Sequence, residues 1–278
     1  MRALLTKTVT DWFRHRSARL GAALAYYSVF SLGPLLLIVT AIAGLFFGAD
    51  AARRSITSQF RSMIGETGGQ AVEVMLKGAE SSTAGGWTAA LGIGLLLVAA
   101  LGVVVQLRDA LNTIFDVKEP EDAGIAWYAK VYAMCFAGIL ALGFLLAVSL
   151  IISAVLAAFS AWLSDSAAES LLLMLLSFAV SLAVLTLLFS MLFKWLPDRQ
   201  LAWRDVWLGG FVTALLFNIG KSAIAWYIGT QGFESTYGAA ASIVVLLIWI
   251  YYSAQIVLFG AELTQAYAAQ RVTGERHG

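Results

Sequence analysis

From position 235 to 261 the chain carries no charged residue, and this one stretch limits what the molecule can be. A run of ~20 apolar residues is enough to carry a helix through a hydrocarbon core of ~30 Å. The part from 239 to 261 therefore reads as a membrane span. It is not uniformly apolar. At about 100° per residue, Tyr251, Gln255 and Glu262 fall on one face. A polar stripe on a spanning helix must face protein or water, so this helix needs neighbours.

Composition says that the chain supplies them. Of 278 residues, 60% are hydrophobic and 13% charged, against ~25% charged in a soluble domain. The net charge of +1 leaves no basic surplus for nucleic acid. His15 and His277 lie near opposite ends, so no histidine-based metal cluster is expected, and no cofactor motif is seen. Cys135 is the single cysteine, which excludes an internal disulfide. The first residues hold a basic stretch without a short apolar core and small-residue cleavage site, so they do not read as a cleavable signal.

In chain order, residues 2–19 pair five cations with Leu4, Leu5, Val9, Trp12 and Phe13 at near-helical spacing. This reads as an amphipathic helix on the membrane surface. Five further spans are expected at 22–47, 87–107, 127–163, 171–195 and 203–228. The first contains Pro34, which cannot donate to the Phe30 carbonyl, so a bend is expected there, either hinge or fixed. Ser28 and Ser31 are placed to help satisfy freed carbonyls. The third, at ~1.5 Å per residue, is longer than a bilayer is thick and must tilt or protrude. Residues 48–86 are the longest polar segment. Ile56, Phe60, Met63 and Ile64, then Val72, Met75, Leu76 and Ala79, predict two short amphipathic helices punctuated by glycine, a small helical cap outside the membrane. The expected fold is thus one all-α domain, a polytopic six-span membrane protein.

Cations set the orientation. Thirteen lie in the leader or in segments after the second, fourth and sixth spans: Arg2, Lys7, Arg14, Arg16, Arg19, Arg108, Lys118, Lys130, Lys194, Arg199, Arg204, Arg271 and Arg276. Four lie on the other side: Arg53, Arg54, Arg61 and Lys77. The positive-inside rule then puts both termini in the cytoplasm and 48–86 outside.

Chemistry-bearing residues are few. Lys221 is the one lysine embedded in an apolar run, sharing a face with Gly210, Ala214, Asn218 and Ala225. Small residues there permit close helix approach, and a mid-bilayer charge costs ~2.5–3.5 kcal/mol. Lys221 is expected to point into the bundle, towards Asn218, Gln255 or Glu234, with snorkelling to the outer boundary the competing reading. Lys221, Asn218, Gln255 and Tyr251 form the candidate substrate-binding set. Arg108, Asp109, Asn112 and Glu262 share a depth near the inner end and form a candidate structural or gating cluster with Pro34; an ion pair without further role is the competing reading. No Walker loop, His-Glu-x-x-His run, Gly-x-Ser-x-Gly elbow or cysteine pair is seen, so no enzymatic site is expected.

Four blocks carry a resemblance: Ala22 to Pro34, Asp109 to Phe115, Asp205 to Lys221, and Ser235 to Glu262 with its Ser-Thr-Tyr-Gly-Ala-Ala-Ala start and Phe-Gly-Ala-Glu end. They resemble the YihY/BrkB family of bacterial inner-membrane proteins over nearly the whole chain. The resemblance implies a six-helix multipass protein of the inner membrane, linked to serum resistance and to a proposed role in lipid or lipopolysaccharide transport. The family's former label as ribonuclease BN finds no site here. Two functions stay open: a permease or flippase-like transporter of a lipidic or amphipathic envelope component, and a non-transporting scaffold for envelope assembly. The partners implied are membrane lipids, envelope-assembly proteins and a second copy of the chain.

Overall fold

A computed structural model of the chain describes residues 2–81, 87–117, 127, 131–133, 167–230 and 241–275. The regular elements are all α-helices: α1 (Arg2–Arg14), α2 (Ser17–Phe47), α3 (Ala49–Ser81), α4 (Trp87–Ile114), α5 (Ala167–Trp195), α6 (Trp203–Thr230) and α7 (Ala241–Glu275). Most of the expected span at 127–163, and the 231–240 loop with Glu234, lie outside the described residues. Among the described residues, two stretches are long and apolar enough to cross a membrane: Phe178–Trp195 in α5 and Ile243–Arg271 in α7.

α1 is two-faced. Leu4, Thr8 and Asp11 are buried, and Leu4 packs with Leu263 and Ala266 of α7. Trp12 meets Phe259 with ring centroids 6.0 Å apart. Leu5, Val9 and Phe13, at i, i+4 and i+8, face outward. The amphipathic spacing therefore does two jobs, docking α1 on α7 and leaving an apolar stripe exposed.

α2 runs through Pro34 without leaving helix. Ser31 Oγ donates to Tyr27 O at 2.8 Å. Its hydroxyl thus serves its own i−4 carbonyl, not the Phe30 carbonyl that Pro34 leaves without a donor. α2 ends at Gly48, whose φ of 84° suits a residue without a Cβ.

α3 corrects the expectation of two separated helices. Its 33 residues form one helical run, yet a Cβ on Gly69 would stand 3.0 Å from Arg61 Cβ. Residues eight apart on a straight helix are separated by ~12 Å along the axis. The run therefore folds back between these two positions, where Arg61 Nε and Glu66 Oε2 pair at 2.8 Å. Its two legs are the two expected amphipathic segments. They do not stand off as a free cap: Ile56, Val72 and Leu76 share a core with Leu36 of α2, and α3 also meets α6 and α7.

The largest core lies at the opposite end. Ala110, Leu111, Ile114 and Phe115 from the end of α4, Phe193 from α5, Val206 from α6, and Leu258 and Ala261 from α7 are all buried in it. α6 and α7 interlock beside it. A Cβ on Gly209 would overlap Thr264 Oγ1, and one on Gly260 would overlap Thr213 Oγ1. Each hydroxyl donates to its own i−4 carbonyl, Thr213 to Gly209 O at 2.6 Å and Thr264 to Gly260 O at 2.8 Å. The reciprocal Gly/Thr contact is how small residues bring two membrane helices close.

Candidate functional site

Among the described residues, a polar network links several elements at one end of the bundle, where α1 turns into α2, α4 ends, α5 turns into α6, and α7 runs past its expected span. Arg16 makes the first turn with a left-handed backbone, φ 54°. A non-glycine residue there costs ~1–2 kcal/mol. The turn puts His15 and Ser17, on either side of Arg16, against one acid of α7. Ser17 Oγ donates to Glu262 Oε1 at 2.7 Å, and His15 Nδ1 lies 3.0 Å from Oε1 and 3.2 Å from Oε2. Glu262 is 0% exposed.

The tautomer of His15 follows from its other side. Arg14 Nη2 lies 3.0 Å from His15 Nε2. Guanidinium nitrogens only donate, so Nε2 offers its lone pair and Nδ1 carries the proton given to Glu262. Asp116 Oδ1 stands 3.6 Å from the same Nε2. Asp116 belongs to a second left-handed turn, φ 54°, after α4. There the Val117 amide donates to Asn112 O and the Asp116 amide to Thr113 O, the paired closure that usually takes glycine. The aspartate instead uses its carboxylate, accepting from Gln265 Nε2 at 3.3 Å.

Arg108 anchors the other half of the cluster. It is 2% exposed, with Nη2 donating to Asp198 Oδ2, Nη1 3.6 Å from Asp109 Oδ1, and Cζ 5.2 Å from the Trp127 ring centroid. Asn112 Nδ2 donates to Asp198 Oδ2 at 2.9 Å, and Asn112 Oδ1 accepts from the Asp198 backbone amide at 2.9 Å. Arg199 reaches Phe115 O at 3.0 Å and Gln265 Oε1 at 2.8 Å. Arg271 pairs with Asp205 at 2.5 Å. The network joins α1, α2, α4, the α5–α6 turn and α7.

The expected inner cluster is thus split. Arg108, Asp109 and Asn112 do meet, but their partner is Asp198; Glu262 pairs with the α1–α2 elbow. The stripe on α7 is rearranged in the same way. Gln255 Nε2 donates to Ala18 O at 3.2 Å, over Gly21, where a Cβ would collide with the amide. Tyr251 is exposed, and the tyrosine that touches α6 is Tyr252, over Gly220. Asn218 is buried with Nδ2 on Ala214 O at 3.1 Å. Lys221 is exposed and does not point into the bundle. The four residues expected to bind substrate are therefore not gathered into one site. Periodicity put Lys221 close to the direction of Ala214, with an offset of only ~20°, but direction alone does not say whether a neighbouring helix still covers that face about two turns further along, and at Lys221 it is exposed.

His15, Ser17, Asp116, Asp198, Arg199 and Gln265 escaped the sequence reading. One signal was available: Glu262 and Gln265 are i and i+3, so they share a polar face at this end of α7 that needs partners from other elements.

Comparison with known proteins places this arrangement. Residues 8–278 match the family described as Virulence factor BrkB. The chain is 29% identical over 277 residues to a UPF0761 membrane protein of Pseudomonas paraeruginosa, covering 99% of this chain and 64% of that protein. It is 29% identical over 252 residues to one of Pseudoalteromonas translucida, covering 90% and 80%. It is 26% identical over 265 residues to one of Mannheimia succiniciproducens, covering 93% and 87%. The chain thus spans just under two thirds of the length of the Pseudomonas relative. No solved structure matches. This chain is a membrane protein and belongs to the BrkB virulence-factor family, to which the UPF0761 membrane proteins are its relatives.

Proposed function

We propose that the chain is a six-span, inner-membrane permease or flippase-like transporter of a lipidic or amphipathic envelope component, with the polar network as its closed inner gate. One observation carries this reading: Glu262 and Arg108 are buried, and their shortest polar contacts, Glu262 with His15 and Ser17 and Arg108 with Asp198, reach a different helix or turn, while Asp109 of the same helix stands 3.6 Å from Arg108. Buried ion pairs add little stability over apolar packing, because desolvation offsets the attraction. Placed at contacts between elements, such pairs suit a gate that opens by exchanging partners.

The span count has support of its own. Asn112 at the end of α4 bonds Asp198 just after α5. Both helices thus finish at the same end, as an even number of crossings between them requires. The cation distribution makes that end cytoplasmic, with both termini inside and the turn between α2 and α3 outside. No catalytic role is assigned.

The test is transport of fluorescent phospholipid or lipopolysaccharide by purified protein in vesicles. Transport that rises when Arg108→Gln loosens the network supports a gate. No transport by either form refutes the reading. A second reading, a rigid scaffold for envelope-assembly proteins or for its own copies, draws on the α6–α7 interlock, which offers no play between these helices.

A further inference from the structure

From the geometry around the α1–α2 elbow we infer that Glu262 is a proton-binding site, loaded from solvent through His15. It deepens the transporter reading, on which its purpose rests, by naming the proton as the coupling ion.

Five groups stand from outside to inside, two of them side by side at the surface. Asp116 is 59% exposed and Arg14 55%. Both reach the Nε2 edge of His15, at 3.6 Å and 3.0 Å. The ring itself is nearly buried, and its Nδ1 edge faces Glu262. Behind Glu262 stands Ser17, itself buried. An imidazole with one edge at the surface and the other on a buried acid is the arrangement by which a proton crosses without opening a water path.

The step balances simply. Arg14 Nη2 leaves Nε2 for Asp11 or Asp116, which already lie 3.3 Å and 3.8 Å from it. A proton from water, by way of Asp116, forms a bond to Nε2. The Nδ1 proton passes to Glu262 Oε1. The ring ends neutral with its proton on Nε2, and Glu262 has gained one proton and lost its charge. Ser17 Oγ then remains its hydrogen-bond partner. Without its charge the acid keeps only uncharged hydrogen bonds to His15 and Ser17, so its hold on the elbow weakens.

The surrounding charges fit a proton better than a metal ion. His15 offers Nδ1 to Glu262 and Nε2 to Asp116 on opposite edges of the ring, so one ion cannot touch all three, and no metal-holding group of acids, histidines or cysteines occurs among the described residues. Of the other charged groups on the elements packed here, Arg16 and Arg19 are exposed, and Lys7, Arg14, Arg199 and Arg271 have partners. Lys7 and Arg14 flank Asp11 of α1, Arg199 takes Gln265, and Arg271 takes Asp205.

The test needs no substrate, so it stands or falls apart from vesicle transport. Infrared difference spectra of the purified protein between alkaline and acidic buffer are expected to contain a protonated-carboxyl band that Glu262→Gln removes. His15→Gln is expected to shift the midpoint of that band by roughly tenfold in proton affinity. Asp116→Asn should leave the band in place. In a His277→Asn background, His15 is the one histidine, and nitrogen NMR should find its proton on Nδ1 at alkaline pH. A band untouched by Glu262→Gln overturns the proposal. So does a band lost in Asp116→Asn, or, if Glu262→Gln fails to accumulate, a midpoint unmoved by His15→Gln.

Discussion

Asn112 and Asp198 close a reciprocal pair: the Asn112 amide donates to the Asp198 carboxylate at 2.9 Å, and the Asp198 backbone amide donates back to Asn112 Oδ1 at 2.9 Å. The two residues lie at the ends of α4 and α5, and Arg108 adds a charge to the same carboxylate oxygen. This is a two-point attachment between the two helix ends, because each residue both donates to and accepts from the other.

Asn112→Ala is expected to destabilise by about 1.5–3 kcal/mol, since it removes a hydrogen bond to a charge and strands a backbone amide. Asn112→Asp should be worse, because it sets two carboxylates against each other. Thermal unfolding in detergent, read as loss of monodisperse protein, checks the order. Asn112→Asp as stable as the parent would mean that Asp198 does not sit on Asn112.

Gly209→Ala and Gly260→Ala should each destabilise by about 1–3 kcal/mol through overpacking. The new methyl would meet Thr264 Oγ1 in one case and Thr213 Oγ1 in the other. Thr264→Ala should recover part of the Gly209→Ala loss. Recovery stops short because a Cβ on Gly209 also lies 2.8 Å from Gly260 O, a backbone atom that cannot turn aside. An equal loss with and without Thr264→Ala would rule out the interlock.

What sequence could and could not foresee divides along one line. The apolar runs foresaw α2, α4, α5, α6 and α7, because hydrophobic length is a property of each segment alone. In α3 the spacing of Ile56, Phe60, Val72 and Leu76 foresaw helix, but not that the two segments form one helical run packed on α2. The network was half visible. Arg108 and Asn112 share a face of one helix, which periodicity reports. Asp198 and His15 sit in turns, where no period applies, and the pairing of Glu262 with His15 spans 247 positions. Such a contact depends on how α1 docks on α7, and a single chain's residue pattern does not encode docking. The end of α7 was missed because Glu262 was taken as the edge of a span, whereas the helix continues to Glu275.

Orientation can be checked by labelling. In a Cys135→Ser background, Gln70→Cys in α3 and Gln200→Cys in the α5–α6 turn are both exposed positions. An impermeant thiol reagent added to intact cells with a permeabilised outer membrane should label position 70 and spare position 200. The reverse pattern would invert the topology.

Lys221 offers the last prediction. Its side chain is exposed on α6, one residue beyond Gly220, whose bare face is filled by Tyr252 of α7. Asn218, one turn back, is buried and spends its amide on Ala214 O. Ala214, Asn218 and Gly220 are buried, whereas Lys221, close to Ala214 in direction but about two turns further along α6, is exposed. On the surface of a spanning helix a lysine lays its methylenes along the apolar surface and lifts its ammonium to the boundary. Lys221→Arg should then be silent, and Lys221→Leu should change stability by no more than about 0.5 kcal/mol, as surface substitutions away from buried contacts do. Lys221→Glu should still insert, with a modest cost for the reversed charge. Should Lys221→Leu and Lys221→Glu both abolish vesicle transport while the protein folds normally, the exposed ammonium would be a contact for an anionic headgroup entering from the lipid side, and the anchoring role would be wrong.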